Sequence, residues 1–285
     1  MRSASLPDNA LSHNCKLCFA QLKPAENVAQ KAGIMSRWSI FALLALACNA
    51  SKFLSVERQQ SNTTESPCQC QADTSSIPRP TRTKNKCVFI DLGAADGNSY
   101  NAFLQGQYGN IADCPNQEYE AILVEANPHF KAALDGVAAQ SVPGKELHVM
   151  LNGAWMCDAD TTFHVMGTTA GSSSLAPQAS SPEDVHVHLI NVIQLIKKWT
   201  IPGDKVLLKV DIEGAEFDII PCLAQSDVLS SDITAFVEEH YFLGGVQRSM
   251  TGITDAEYNA AKETLKSKGV KMPHYSSATL IQKAA

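Results

Sequence analysis

From Lys86 onward, short apolar runs alternate with amphipathic stretches. The runs are CVFIDL (Cys87 to Leu92), EAILVEA (Glu120 to Ala126), LHVMLNGAW (Leu147 to Trp155), KVLLKVDI (Lys205 to Ile212) and ITAFVEEH (Ile233 to His240). Three or more consecutive apolar positions in so short a run suit a strand covered on both faces, the pattern of a parallel sheet. Between them, HFKAALDGVAAQ, VHVHLINVIQLIKKW and GAEFDIIPCLAQ read as helices. The alternation predicts an α/β fold, doubly wound, with a mostly parallel central sheet. Ligands of such sheets bind beyond the carboxyl ends of the strands, so the residues just after each run are the candidates for chemistry.

Residues 1–85 lack this alternation. Residues 35–50 read as a signal peptide or signal-anchor: Arg37 precedes an apolar stretch, Trp38 to Cys48, that ends among small residues. A membrane span takes about 20 apolar residues, whereas a secretory apolar region needs roughly 7 to 15, and the stretch fits the second. Residues 1–34 are then an unstructured N-terminal extension. Residues 51–85, rich in Gln, Ser, Thr and Pro, read as a polar linker or stem, because such a composition buries too little surface to offset the entropy of ordering. The folded domain is expected over 86–285. The expected location is the secretory pathway, in the Golgi lumen or secreted, with a single-pass type II membrane protein anchored through residues 38–48 as the alternative.

Composition adds exclusions. With 45% hydrophobic and 18% charged residues the chain is that of an ordinary globular protein, and its net charge of -6 gives no electrostatic reason to expect a nucleic-acid partner. Six of the nine cysteines follow the apolar stretch: Cys68, Cys70, Cys87, Cys114, Cys157 and Cys222. An even set on a lumenal side allows disulfides, and the sequence does not choose their pairing. Cys15 and Cys18 have no second pair at zinc-ligand spacing and receive no function. The sequons at Asn49 and Asn62 are acceptors for glycosylation if that part is secreted.

The turn after the first run, DLGAADG, names a ligand class. Gly93 allows a tight turn, Ala94 and Ala95 let a ligand come close, and Gly97 leaves space near the next helix. A dinucleotide fold presents amides to pyrophosphate here, but Asp91 and Asp96 repel an anion. S-adenosylmethionine, with an ammonium, a sulfonium and no phosphate, fits the acids better. Glu125, ending the second run, is placed to accept hydrogen bonds from the two ribose hydroxyls.

Together with VFIDLGAADGNSY and ILVEANP, the element Lys209-Val210-Asp211-Ile212-Glu213-Gly214-Ala215-Glu216 resembles the signature of the FkbM family of S-adenosylmethionine-dependent methyltransferases. The resemblance covers roughly Lys86 to His240, and NGAWMCDADTTFHV and GSSSL are similar to the segment after the family's third strand. It implies a Rossmann-like class I methyltransferase fold, S-adenosyl-L-methionine as cofactor and methyl transfer to a hydroxyl, as of sugars or polyketide products, without identifying the acceptor; a carbohydrate is the expected one. It carries cofactor binding onto Asp91, Gly93, Asp96, Gly97, Ser99 and Glu125, with Asn152 or Gly153 near the adenine. The lengthened link LQGQYGNIADCPNQEY departs from the family and reads as a surface loop.

Methyl transfer to oxygen needs an in-line hydroxyl and a group to take its proton. Asp211, Glu213 and His240, after the fourth and fifth runs, are the catalytic candidates, with Glu216 close by. His240 is the expected base because an unperturbed imidazole titrates near neutrality. Glu213 and Glu216 equally suit a helix N-terminus for its dipole alone. His186 and His188 share one face of VHVHL without an evident third ligand, so no metal is assigned. Trp155 and Trp199 read as packing residues, and AGSSSLAP as a loop. A catalytically silent binding module of the same fold is the alternative of a different class, and a nicotinamide-dependent dehydrogenase the third reading.

Overall fold

The computed structural model describes Cys68, Cys70 and residues 76–110, 113–140, 145–165, 183–240 and 249–277. The expected extension, the signal or anchor segment, both sequons, Cys15, Cys18 and AGSSSLAP lie outside the described residues. Among the described residues no helix is long and apolar enough to cross a membrane.

Among the described residues, eight strands and five α-helices follow one another as β1 (Cys87–Leu92), α1 (Asn98–Leu104), β2 (Tyr119–Val124), α2 (Lys131–Ala138), β3 (Lys145–Met150), β4 (Gly153–Trp155), β5 (Ala159–Val165), β6 (Glu183–Asn191), α3 (Val192–Trp199), β7 (Lys205–Val210), α4 (Glu216–Gln225), β8 (Ile233–Val237) and α5 (Asp255–Ser267). Five strands form a parallel sheet in the order β3-β2-β1-β7-β8. The apolar runs of β1 and β2 are buried along their whole length, as strands with both faces covered must be. One face packs on α3, α4 and α5 through Leu92, Val210, Ile196, Ile220 and Leu265. The other carries an aromatic layer in which Phe89 stacks on Phe103 with ring centroids 4.6 Å apart. This is the doubly wound α/β fold.

Pairing register brings the strand ends into line. Leu92 pairs with Val124 on one side and Val210 on the other, Val124 pairs with Met150, and Val210 with Val237. The chain leaves β1 towards β2 and β3, then returns to the opposite side of β1 as β7. The crevice at a sheet's ligand edge opens where strand order reverses in this way.

Two expected elements differ. LHVMLNGAW is not one strand: β3 ends at Met150, and β4 belongs to a second sheet of order β4-β6-β5. Gly153 makes the crossing possible, because a Cβ there would meet Leu189 Cδ2 at 2.4 Å. The stretch VHVHLINVIQLIKKW is half strand. Its apolar Val185, Val187 and Leu189 alternate through β6, and the helical period starts only after Asn191, whose side chain accepts from the amides of Ile193 and Gln194 and caps α3. Helix α5 went unpredicted despite the capping box of Thr254 and Glu257.

The boundary expected at Lys86 falls late, because the polar stretch before it is fastened to the domain. Disulfides join Cys68 to Cys222 and Cys70 to Cys157, and the side chains of Arg79 and Arg82 reach Thr200 O and the Asp204 carboxylate. The compact unit spans residues 65–285. Covalent links of this kind order a segment whose own apolar content cannot, each contributing about 2–5 kcal/mol by restricting the unfolded chain. A third disulfide, Cys87 to Cys114, ties the lengthened link back to β1, and Tyr108 of that link is buried against Phe89 and Phe236. That link is therefore anchored at two points rather than lying wholly on the surface.

Candidate active site

Each aligned strand end delivers a different group to the same edge. After β1 the backbone turns through Gly93, at φ +86°, and Ala95, at φ +47°. The turn lies so close to the segment after β7 that a Cβ on Gly93 would stand 1.9 Å from Asp211 O. Only glycine meets both demands. Gly97, also at positive φ, starts α1 under Val137 and Leu134 of α2.

Beneath the turn lies a buried charge network. Lys209 Nζ is 3.1 Å from Asp91 Oδ1 and 3.3 Å from Asp211 Oδ2, and donates to Gly93 O at 2.8 Å. Burial opposes its charge, but the two carboxylates outweigh that and raise its pKa, so the ammonium persists. Ser99 Oγ donates to Asp91 Oδ2. Asp91, fully buried, thus fixes Lys209 and α1 from below the turn, and Asp96 is the acid of this motif that is exposed. Asp96 accepts from the amide and side chain of Asn98.

Glu125 follows β2 beside this turn. Its Oε2 accepts from the Ala95 amide and its Oε1 from the Asn127 amide, both at 2.7 Å. Burial raises its pKa above the usual carboxylate range, against the pull of those two amides. The Glu125 amide in turn donates to Met150 O at the end of β3. Asn152 comes two residues later, donating to His188 O, and Gly153 opens β4.

On the other side of the turn, Asp211, Glu213 and His240 face one another. His240 Nε2 is 3.4 Å from Asp211 Oδ1 and 3.6 Å from Glu213 Oε1. Glu213 sits at φ +53°, an uncommon backbone state for a residue with a side chain. Glu216, completely buried at the start of α4, holds His240 twice: Oε1 accepts from its amide at 2.8 Å and lies 3.0 Å from Nδ1. Burial disfavours a charged His240, but the nearby Asp211 carboxylate, the hydrogen bond with Glu216 and the charges of Glu216 and Glu213 prevail and push its pKa up to about 11. It is an imidazolium at neutral pH, not the unperturbed base expected from its type. Burial pushes Glu213 up to about 7, while burial of Asp211 is outweighed by Lys209 and His240, which hold it below the usual range.

Every candidate named from the sequence thus lies on the segments leaving β1, β2, β3, β7 and β8. Asp91 and Ser99 pair with each other, Glu125 joins the β1 turn, and Asp211, Glu213 and His240 come together. Two residues were missed as organisers. Lys209 was visible as a lone cation inside an apolar run, which burial makes costly unless it is paired. Glu216 was read chiefly as a helix-start acid, and only the fold reveals its grip on His240. His188 pairs with Asp160 instead of entering the site, Nδ1 lying 2.9 Å from Oδ1. Trp155 and Trp199 are partly buried against the core, as packing residues should be.

The Methyltransferase FkbM domain matches residues 52–269, which is most of the chain. No curated protein and no solved structure matches it. The matched span contains all five strand ends and every group described above, and the doubly wound parallel sheet is the one a Rossmann-like methyltransferase requires. A family of this chemistry works with a methyl-donor cofactor, and the chain belongs to it: this is a member of the FkbM methyltransferases.

Proposed function

We propose that the protein is an S-adenosylmethionine-dependent O-methyltransferase acting on a hydroxyl-bearing acceptor, with a sugar or glycan as the acceptor class. The Glu125 carboxylate carries the donor half of this reading. Anchored by the Ala95 and Asn127 amides, each of its oxygens keeps acceptor capacity for one ribose hydroxyl. Gly93, Ala94 and Ala95 bring backbone and no bulk to the same place, while exposed Asp96 favours a cationic ligand over a pyrophosphate. That choice disfavours the dehydrogenase reading. The donor supplies an electrophilic methyl group on a sulfonium.

The chain's own residues do the rest. Asp91, Ser99 and Lys209 hold the turn rigid, and Gly97 lets α1 start against α2. Asn152 and Gly153, one strand beyond Glu125, flank the adenine side. The Asp211 or Glu213 carboxylate accepts the proton of the acceptor hydroxyl as its oxygen attacks the methyl group, and the His240 imidazolium beside them offsets the negative charge that develops on that oxygen. A silent module would have no use for that trio, nor for the buried Glu216 that orients it. Removing the carboxylate in Glu125→Ala should weaken donor binding about 10–100-fold, the loss of a charged hydrogen-bond acceptor, as read by calorimetric titration. Unchanged affinity would remove the ribose assignment.

The acceptor class rests on the chemistry typical of the family, and the location on the cysteines. Three disulfides consume all six cysteines that follow the apolar stretch, which suits an oxidising compartment of the secretory pathway and not the cytosol. Anchoring through residues 38–48 stays part of this proposal. Peptide mapping of the native protein under non-reducing conditions should recover the three cross-linked pairs. Free thiols at these positions would contradict a secretory location.

A further inference from the structure

The Asp211, Glu213 and His240 cluster is built differently from an ion pair. An imidazolium facing carboxylates forms charge-assisted hydrogen bonds of about 2.7–2.9 Å. His240 Nε2 instead stands off from both oxygens, at 3.4 and 3.6 Å. A divalent cation bonded at about 2.0–2.2 Å holds neighbouring ligand atoms about 2.8–3.1 Å apart in an octahedron and about 3.3–3.6 Å apart in a tetrahedron, so the three groups stand at or a few tenths of an ångström outside coordination spacing. All three ligand atoms lie within 4.8 Å of one another.

A second observation lies outside the trio. Metal-ligating histidines ordinarily engage a carboxylate through the other ring nitrogen, which fixes the tautomer and aims the free nitrogen at the metal. Glu216, with no exposed surface, does this to Nδ1 and also fixes the His240 backbone. Charge agrees: among the described residues Asp91, Asp211, Glu213 and Glu216 face Lys209 and His240 across this edge, and a dication in place of the imidazole proton reduces the negative surplus.

We infer that Asp211, Glu213 and His240 Nε2 form a divalent cation site, taking an octahedral ion of the Mg²⁺ or Mn²⁺ class and leaving positions open for an acceptor oxygen. Two hard carboxylates and one imidazole suit such an ion. The cation replaces the imidazole proton and lowers the pKa of a hydroxyl that coordinates it, the hydroxyl proton passing to water. This deepens the methyl-transfer reading and rests on it for its purpose, although cation binding itself is measured without a donor. The other such group among the described residues, Glu120, Glu146 and His148, already holds a cation, because Lys86 Nζ pairs with Glu120 at 2.5 Å.

The experiment is titration of the full chain with Mn²⁺, following free Mn²⁺ by electron paramagnetic resonance. Wild type should bind one high-affinity ion. Glu213→Gln and Asp211→Asn should weaken it at least about tenfold, while Asp160→Asn and Glu146→Gln leave it unchanged. Circular dichroism shows whether each variant is folded, and half-buried Glu213 is the position least needed for folding. No high-affinity ion in wild type, equal affinity in Glu213→Gln, or loss in Glu146→Gln would overturn the site. A parallel titration with S-adenosylmethionine in chelator separates the two readings: donor binding with no Mn²⁺ binding overturns the cation site alone, and Mn²⁺ binding with no donor binding overturns the donor assignment alone.

Discussion

Lys209→Met should cost about 3–5 kcal/mol of folding stability, because it removes the cation from between two sheltered carboxylates and leaves them facing each other. Methionine nearly matches the lysine stem in volume, so the loss reports charge more than packing. For a domain of this size about 2–4 °C of melting temperature accompanies each kcal/mol, so a fall of roughly 6–20 °C is expected. The double variant Asp91→Asn with Lys209→Met should recover part of it, since a neutral amide no longer needs the ammonium, and the cycle of four melting curves isolates the coupling. A single variant that melts like wild type would show that the buried network carries no weight. The same ammonium donates to Gly93 O, so donor affinity should fall together with stability.

Gly93→Ala should be harsher than its single added methyl suggests. The new Cβ would sit 1.9 Å from Asp211 O and 2.9 Å from Asp211 C, atoms of the backbone that no rotamer change can move. Left-handed backbone adds a further 1–2 kcal/mol or so for any residue with a Cβ. A loss of about 4 kcal/mol or more is expected, the range reserved for disrupted special sites. Gly97→Ala is the contrast: it carries the same backbone cost at φ +86°, but the nearest atoms its Cβ would meet belong to side chains, Val137 Cγ2 at 3.0 Å and Leu134 Cδ2 at 3.6 Å, and side chains can yield. Thermal melts should therefore rank Gly93→Ala well below Gly97→Ala. Equal melting points would mean that the β1 and β7 turns are not locked together as described.

The strand ends were legible because burial on both faces writes uninterrupted apolar runs, and each run stops where the chain reaches the ligand edge. Asp91, Glu125, Asp211 and His240 could be placed from that punctuation alone. Register then did what sequence does not state, aligning Leu92, Val124, Met150, Val210 and Val237 so that their successors share one edge. The β6–α3 segment misled because its hydrophobic period changes from two to three or four at Asn191, within a single apolar stretch. The domain start misled for a different reason. Composition measures how much surface a segment can bury, and cannot register that Cys68 and Cys70 are covalently held by partners far along the chain. Residue type alone also gave His240 an ordinary pKa, whereas three carboxylates brought together by the fold push it to about 11.

The edge formed by the β1 turn and Glu125 is expected to bind a methyl donor. Calorimetric titration of the folded protein with S-adenosylmethionine, against a reduced nicotinamide cofactor as control, tests it most directly. Saturable binding of S-adenosylmethionine at one site per chain, and none of the nicotinamide, is the expected result. Binding of the nicotinamide alone, or of neither by protein shown to be folded, would contradict it.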